Sequence, residues 1–282
     1  MTVTAPTRET LLQIAQQLPA SPQVLVQLSD LLTDVNSGLD DVARLLRRDT
    51  ALATRVIRIS NSVAYGMGGR VGSVEDAVNR VGYAEIYRLV GLANAAALAD
   101  QHLHSYGFSG TQLRDNTLVS ALAAEMLATL TGADTRIVYT VGLLRSAGKL
   151  VLDRYAKRGA RIEPFILSGG LDLLRWERTH LGVTNLEVAD TVLSAWRFPA
   201  AIVQPVRHHV VTTGASPDHV QATQLLHVAN AIARDAGFGL QGEQSYWDIS
   251  PARLESVGLT PAAIQECTES TLTAFDALKG SL

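Results

Sequence analysis

Residues 21–35 read SPQVLVQLSDLLTDV, and the spacing of their apolar side chains decides the fold class. Val24, Leu25, Leu28, Leu31, Leu32 and Val35 recur every three or four positions, which sets them on one face of an α-helix. Ser21 is placed to cap that helix and Pro22 suits its first turn. Asn36-Ser37-Gly38 ends it.

The same period runs outward along the chain. Asp40–Arg48 turns Val42, Leu45 and Leu46 to one side, and Thr50–Asn61 does the same with Leu52, Val56, Ile57 and Ile59. Gly66, Gly68, Gly69 and Gly72 interrupt the pattern and read as an interhelical loop. A phosphate-cradling loop would need a preceding strand and a closing Gly-Lys-Ser/Thr, and neither is present. Ser73 starts a short helix with Asp76 in capping position. Gly82 divides it from a longer one, Ala84 to about Asp100. His102–Thr111 reads as a polar loop and a lobe boundary. Helices follow over Leu113–Leu130, from Asp134 to about Tyr155, and over Arg175–His180, Leu186–Ala195, Ala200–His209 and Val220–Ala236. Ser250-Pro251 and Thr260-Pro261 open two more. No segment alternates as a strand does, so the expected class is all-α, in two packed helical lobes.

Composition agrees. Of 282 residues, 47% are hydrophobic but only 5% aromatic, so the core rests on Leu, Val, Ile and Ala. A formal charge of −3 leaves no general basic field for nucleic acid. The single cysteine, Cys267, excludes an internal disulfide, fits a cytoplasmic location, and reads as a small apolar residue of a C-terminal helix. MTVTAPTRET lacks the basic and apolar regions of a signal peptide. Val90–Ala99 is too short to span a bilayer.

Local features point to little chemistry. Helix–Gly–helix around Gly82 invites a helix-turn-helix reading, but Ile86, Leu89, Val90, Leu92 and Ala93 occupy most of the second helix, where a recognition helix needs a polar, basic face. His102 and His104 read as solvated. His180, His219 and His227 lack a partner at ligand spacing, and no Gly-x-Ser-x-Gly elbow occurs. Glu75, Asp76 and Glu85 read as surface or capping carboxylates. Trp176, Trp196 and Trp247 read as core or interlobe anchors.

The order of several short motifs resembles the HD-related output domain family, HDOD. They are Leu18-Pro19-Ala20-Ser21-Pro22, LLRRDTAL over 45–52, Arg58-Ile59-Ser60-Asn61-Ser62 with Tyr65-Gly66, and Ser73–Val78 with Val81-Gly82. Next come Gly142-Leu143-Leu144 with Gly148-Lys149-Leu150, Leu181-Gly182, Trp196, Pro199 and His208-His209. The resemblance covers Leu18 to Ala236. It implies an N-terminal segment 1–17, an HDOD domain 18–236 divided into lobes 18–104 and 105–236, and a helical extension 237–282. It also implies that the second lobe is similar to metal-dependent HD and HD-GYP phosphohydrolases.

Those enzymes gather imidazoles and carboxylates around metal ions, which lower the pKa of bound water and offset phosphate charge. The resemblance places the first ligand histidine at Asn116 and the adjacent His-Asp pair at Arg145-Ser146. It places a further histidine at Asn185 and a late aspartate at Asn230. His208, His209 and Lys149 are retained. Three amides and a permanent cation thus stand where metal ligands are expected, and Arg145 cannot shed its proton. The implication is a vestigial pocket with no catalytic residue, metal or cofactor. The expected role is bacterial signalling through binding of another protein, with no membrane and no nucleic acid, a groove between the lobes being a natural docking place. The alternatives are a sensor of a small anionic ligand or nucleotide (with Arg207 and Lys149 as anion ligands), a residual phosphohydrolase, and a DNA-binding regulator.

Overall fold

A computed structural model describes residues 5–18, 22–65, 69–158, 163–166 and 172–280. Regular structure among them is helical, apart from one antiparallel bridge between Leu103 and Phe108. No described helix is long and apolar enough to cross a membrane. The chain divides into two compact units, one of Met1–Leu18 with Leu98–Thr271, the other of Pro19–Ala97 with Leu272–Leu282.

Helix α1 (Arg8–Ala15) belongs to the first of these and is capped by the Thr7 hydroxyl. The second unit holds α2 (Gln23–Thr33), α3 (Leu39–Leu46), α4 (Thr50–Ser60) and α5 (Val74–Ala96). Leu25 and Leu28 of α2 are buried as its period requires, whereas Val35 is exposed. The helix stops before Val35 because the Asp34 carboxylate accepts the Asn36 N–H at 2.9 Å, a local turn that competes with another helical bond. The expected Ser21 cap, the Pro19 and Ala20 of its motif, Gly66 and Gly68 lie outside the described residues. Asn61 closes the loop before α5, exchanging hydrogen bonds with the Val71 backbone N–H (2.9 Å) and carbonyl (3.0 Å). Gly82 kinks α5 with φ 76°, a conformation that penalises a Cβ.

The first unit continues with α6 (Gly110–Thr131), α7 (Thr135–Leu144), α8 (Ala147–Lys157), α9 (Leu173–Leu181), α10 (Asn185–Ala195), α11 (Ala200–His208), α12 (Val220–Ala233) and α13 (Pro251–Ser256), and α14 (Pro261–Lys279) begins in it. Helix α6 packs on α7 and α12, α8 on α10, and α1 on both α8 and α10. The caps are those the residues dictate. Asp134 and Asp172 accept the third helical N–H of α7 and α9, and Ser109/Gln112 and Thr184/Glu187 form capping boxes.

Expectations change at several points. The first compact unit resumes at Leu98. The segment after His102 is no polar loop: Leu103, Tyr106 and Phe108 are buried, and Asp153 accepts the Ser105 N–H at 2.8 Å. Residues from Gly237 to Thr271 are grouped with the first unit. Leu254, Val257, Leu259 and Cys267 join Leu127, Val228 and Ile232 in one apolar cluster. Finally, the helix expected from Asp134 to Tyr155 is two helices, α7 and α8, broken at Arg145-Ser146. Each half is drawn onto a different neighbour through a glycine. A Cβ on Gly142 would meet Ala121 Cα at 2.6 Å, and one on Gly148 would meet the Asn185 carbonyl oxygen at 1.8 Å.

Candidate functional site

The break between α7 and α8 delivers Arg145 and Lys149 into the interior of the first unit, where both are at most 1% exposed. Burying two cations is costly unless they are paired and hydrogen-bonded. Here both grip one carboxylate, Glu243, from the segment after α12. Arg145 Nη2 pairs with Glu243 Oε2, and Lys149 Nζ lies 2.7 Å from Oε1. Burial alone would raise the Glu243 carboxyl, but the two cations outweigh it and hold it down at about 2. Burial lowers the Lys149 ammonium despite Glu243.

Amides complete the cluster. Arg145 Nη1 donates to the Asn116 side-chain oxygen and reaches Ser146 Oγ at 3.5 Å, while Asn116 Nδ2 donates to the Phe238 carbonyl at 2.8 Å. Lys149 Nζ donates to Asn185 Oδ1 at 3.3 Å. Asn185 in turn donates its backbone N–H (2.7 Å) and side-chain N–H groups to a second buried carboxylate, Glu177. Tyr106 Oη donates to Glu177 Oε1 at 2.7 Å. Burial pushes Glu177 up to about 7 against the pull of Lys149 and these donors.

His209 is buried beside the cluster. Its ring stacks on Trp247 at 5.7 Å, and the Arg145 guanidinium lies 5.5 Å from the centre of the same ring system. Burial, then the charges of Arg145 and Lys149, push His209 down to about 3. Neutral His209 donates from Nδ1 to the Val206 carbonyl at 2.7 Å. His227 bridges the His209 carbonyl (2.8 Å) and the Asp248 N–H (2.9 Å) and so secures the segment carrying Glu243.

Of the residues grouped by the resemblance, Asn116, Arg145, Ser146, Lys149 and Asn185 are thus joined directly. His209 flanks them. Asn230 is buried on α12, where its Oδ1 accepts the Ser120 hydroxyl at 3.0 Å. His208 is the exception: it is half-buried, packed beside Gly214, and makes none of the cluster's contacts. Adjacent helical residues point about 100° apart, which separates it from His209. Arg207 turns to Glu187 at 3.7 Å and so is committed away from Lys149.

Glu243, Glu177 and Tyr106 escaped sequence reasoning. Glu243 sits in an irregular stretch, GLQGEQSYWD, with no periodicity to mark it as internal. Glu177 had a faint signal, since it follows Trp176 on a helix whose buried face includes Leu173 and Leu181.

These donors do not fit a divalent cation. Both oxygens of Glu243 are taken by cations, the oxygens of Asn116 and Asn185 accept from Arg145 and Lys149, and His209 Nδ1 is held by a carbonyl.

Residues 18–211 match the family model of the HDOD domain. The chain belongs to the HDOD domain family. Across known proteins, this HDOD chain is 23% identical over 264 residues to an uncharacterized protein of Treponema pallidum (strain Nichols), covering 92% of the chain and 50% of the relative. The chain therefore spans about half the length of the curated relative it matches. An HDOD domain protein of unknown function from Geobacter sulfurreducens has the same fold, with a TM-score of 0.71, 18% identity and coverage of 98% and 99% of the two chains. A Shewanella amazonensis SB2B protein named "Putative phosphohydrolase" matches with a TM-score of 0.70, 22% identity and coverage of 97% and 98%.

Proposed function

We propose that this HDOD chain is a non-catalytic regulatory domain of a signalling system that works by binding another protein. The family supports the regulatory role. The observation that carries the non-catalytic part is the shared grip of Arg145 and Lys149 on Glu243, with Arg145 standing where the resemblance places a metal-ligating histidine. Metal-assisted hydrolysis needs a divalent ion to acidify water and to balance developing charge. A further cation ~4 Å from Arg145 would meet a repulsion of ~4 kcal/mol at an effective dielectric near 20. The one carboxylate that might offset this is already shared by two cations.

A cluster that no longer holds metal retains a structural use. It ties α6, the α7–α8 break, α8, α10 and the segment after α12 into one scaffold, on which a binding surface can be held rigid. The helix after Gly82 is a poor candidate for duplex reading, since Ile86, Leu89, Val90, Leu92 and Ala93 are all buried within the chain.

The test is elemental analysis of protein incubated with Mn²⁺ and desalted, together with hydrolysis of bis(p-nitrophenyl) phosphate and of a cyclic dinucleotide. No stoichiometric metal and no turnover is the expected result, with a defined protein partner co-eluting with the chain in size-exclusion chromatography. Stoichiometric metal with turnover that fails in Lys149→Ala would sink the proposal.

A further inference from the structure

We propose that a polar cleft at the C-terminal end of α8 binds a small phosphate-bearing ligand of nucleotide size. The cleft lies wholly within the first unit, encloses about 480 Å³, and is walled by the last turns of α8 and by the segment from Asp100 to His104. Small-molecule sites commonly fall between roughly 300 and 1,000 Å³.

Its charge pattern gives the ligand class. Arg154 and Arg158 stand one turn apart on the same helix face. Arg154 donates to the Gln17 carbonyl at 2.5 Å and to Gln101 Oε1 at 3.3 Å, and Arg158 donates to Gln17 Oε1. All these acceptors are neutral, and among the described residues neither guanidinium has a carboxylate partner. Lys157 differs. It pairs with Asp153 at 2.6 Å and donates to the His102 carbonyl at 2.8 Å, so it fixes the wall rather than awaiting a ligand. Asp153 is consumed by Lys157 and the Ser105 N–H, and Asp100 is the other carboxylate of the lining.

Basic residues in a last helical turn have an ordinary explanation, because they complement about half a negative charge at the helix C-terminus. That accounts for one cation at most. Two guanidiniums without a carboxylate, held still by neutral acceptors, keep N–H groups for further bonds, and the planar fork of arginine matches phosphate oxygens bidentately. The exposed rings of His102 and His104, 5.2 Å apart on the opposite wall, supply additional donors and flat surface for an organic portion. Chemistry and size together select a phosphate or diphosphate ester over a bare anion. This inference stands independently of the catalytic status of the Glu243 cluster.

The experiment is isothermal titration of the full chain at low salt with inorganic pyrophosphate, ADP, sulfate and an oligoglutamate peptide. The expected result is one site that prefers ADP and pyrophosphate to sulfate, weakened tenfold or more in Arg154→Gln/Arg158→Gln and unchanged in the equal-charge control Arg44→Gln/Arg47→Gln. Should the double variant fold poorly, Arg158→Gln alone, at an exposed position, carries the test and is expected to weaken binding at least threefold. Absence of pyrophosphate binding, or equal binding by the cleft variants and the wild type, overturns the proposal. Tighter binding of oligoglutamate than of ADP overturns it in favour of an acidic protein segment.

Discussion

Lys149 Nζ lies 2.7 Å from Glu243 Oε1, with both side chains excluded from water and Arg145 on the other carboxylate oxygen. One carboxylate thereby neutralises one of two buried cations outright, and the amides of Asn116 and Asn185 solvate the rest. Such an arrangement is intolerant of losing a single member and far more tolerant of losing all of them together, because the cost lies in the unpaired charge.

Glu243→Ala is therefore expected to destabilise the fold by about 3–5 kcal/mol, since it strands two buried cations. Arg145→Met/Lys149→Leu/Glu243→Leu is expected to recover most of that loss. Urea unfolding of the three proteins measures both, and a triple variant no more stable than Glu243→Ala would refute the account.

The acid side of the stability profile follows from three groups. His209 stays neutral in the fold down to about 3, against an ordinary 6.5, so the unfolded chain binds more protons between those values and stability rises with pH there. Glu177 is raised to about 7 from 4.5, so the folded chain binds more protons in that interval and stability falls as pH rises. Glu243 is held at about 2, which adds stability as pH rises from there to 4.5. His209 and Glu177 oppose each other between 4.5 and 6.5, which flattens the profile. Below 4.5 His209 and Glu243 add, so stability rises with pH more steeply there. His209→Phe should halve the acid slope and turn the flat region into a decline with rising pH, as read by chemical unfolding across pH 3.5–7.

Gly148→Ala tests the contact that seats α8 on α10. A Cβ would lie 1.8 Å from the Asn185 carbonyl oxygen, so backbone must move, at a cost of about 1–3 kcal/mol or more. Gly72→Ala, where a Cβ meets nothing within 4 Å, is expected within about 0.5 kcal/mol of wild type. Equal thermal midpoints for the two variants would contradict the packing described.

His227→Phe keeps an aromatic ring but strands the His209 carbonyl and the Asp248 N–H. Leaving these groups unsatisfied is expected to cost about 1–3 kcal/mol. Hydrogen exchange at Asp248 should quicken in this variant more than at α6, because the lost bond anchors the Glu243 segment locally.

Local signals made much of the fold legible. The period over Val24–Leu32 marks α2, Asp134 caps α7, Gly82 marks the kink in α5, and paired Ser-Pro and Thr-Pro mark α13 and α14. Cys267, Trp176, Trp196 and Trp247 are buried, as their apolar character requires. Less visible were α1 and the break at Arg145-Ser146, where no Gly or Pro stands at the break itself.

The site divides along the same line. Which side chains stand at Asn116, Arg145, Lys149 and Asn185 is a property of the chain alone, and so is the scarcity of imidazole and carboxylate among them. How their charge is balanced is not. Glu243 and Glu177 come from distant stretches, one without periodicity, and a carboxylate reads the same in sequence whether it faces water or a buried guanidinium. Pairing depends on which helices pack together and on the low dielectric they create. Only the tertiary structure therefore decided that Arg145 and Lys149 meet a partner, whereas the helices that carry them were set by short-range periodicity and caps.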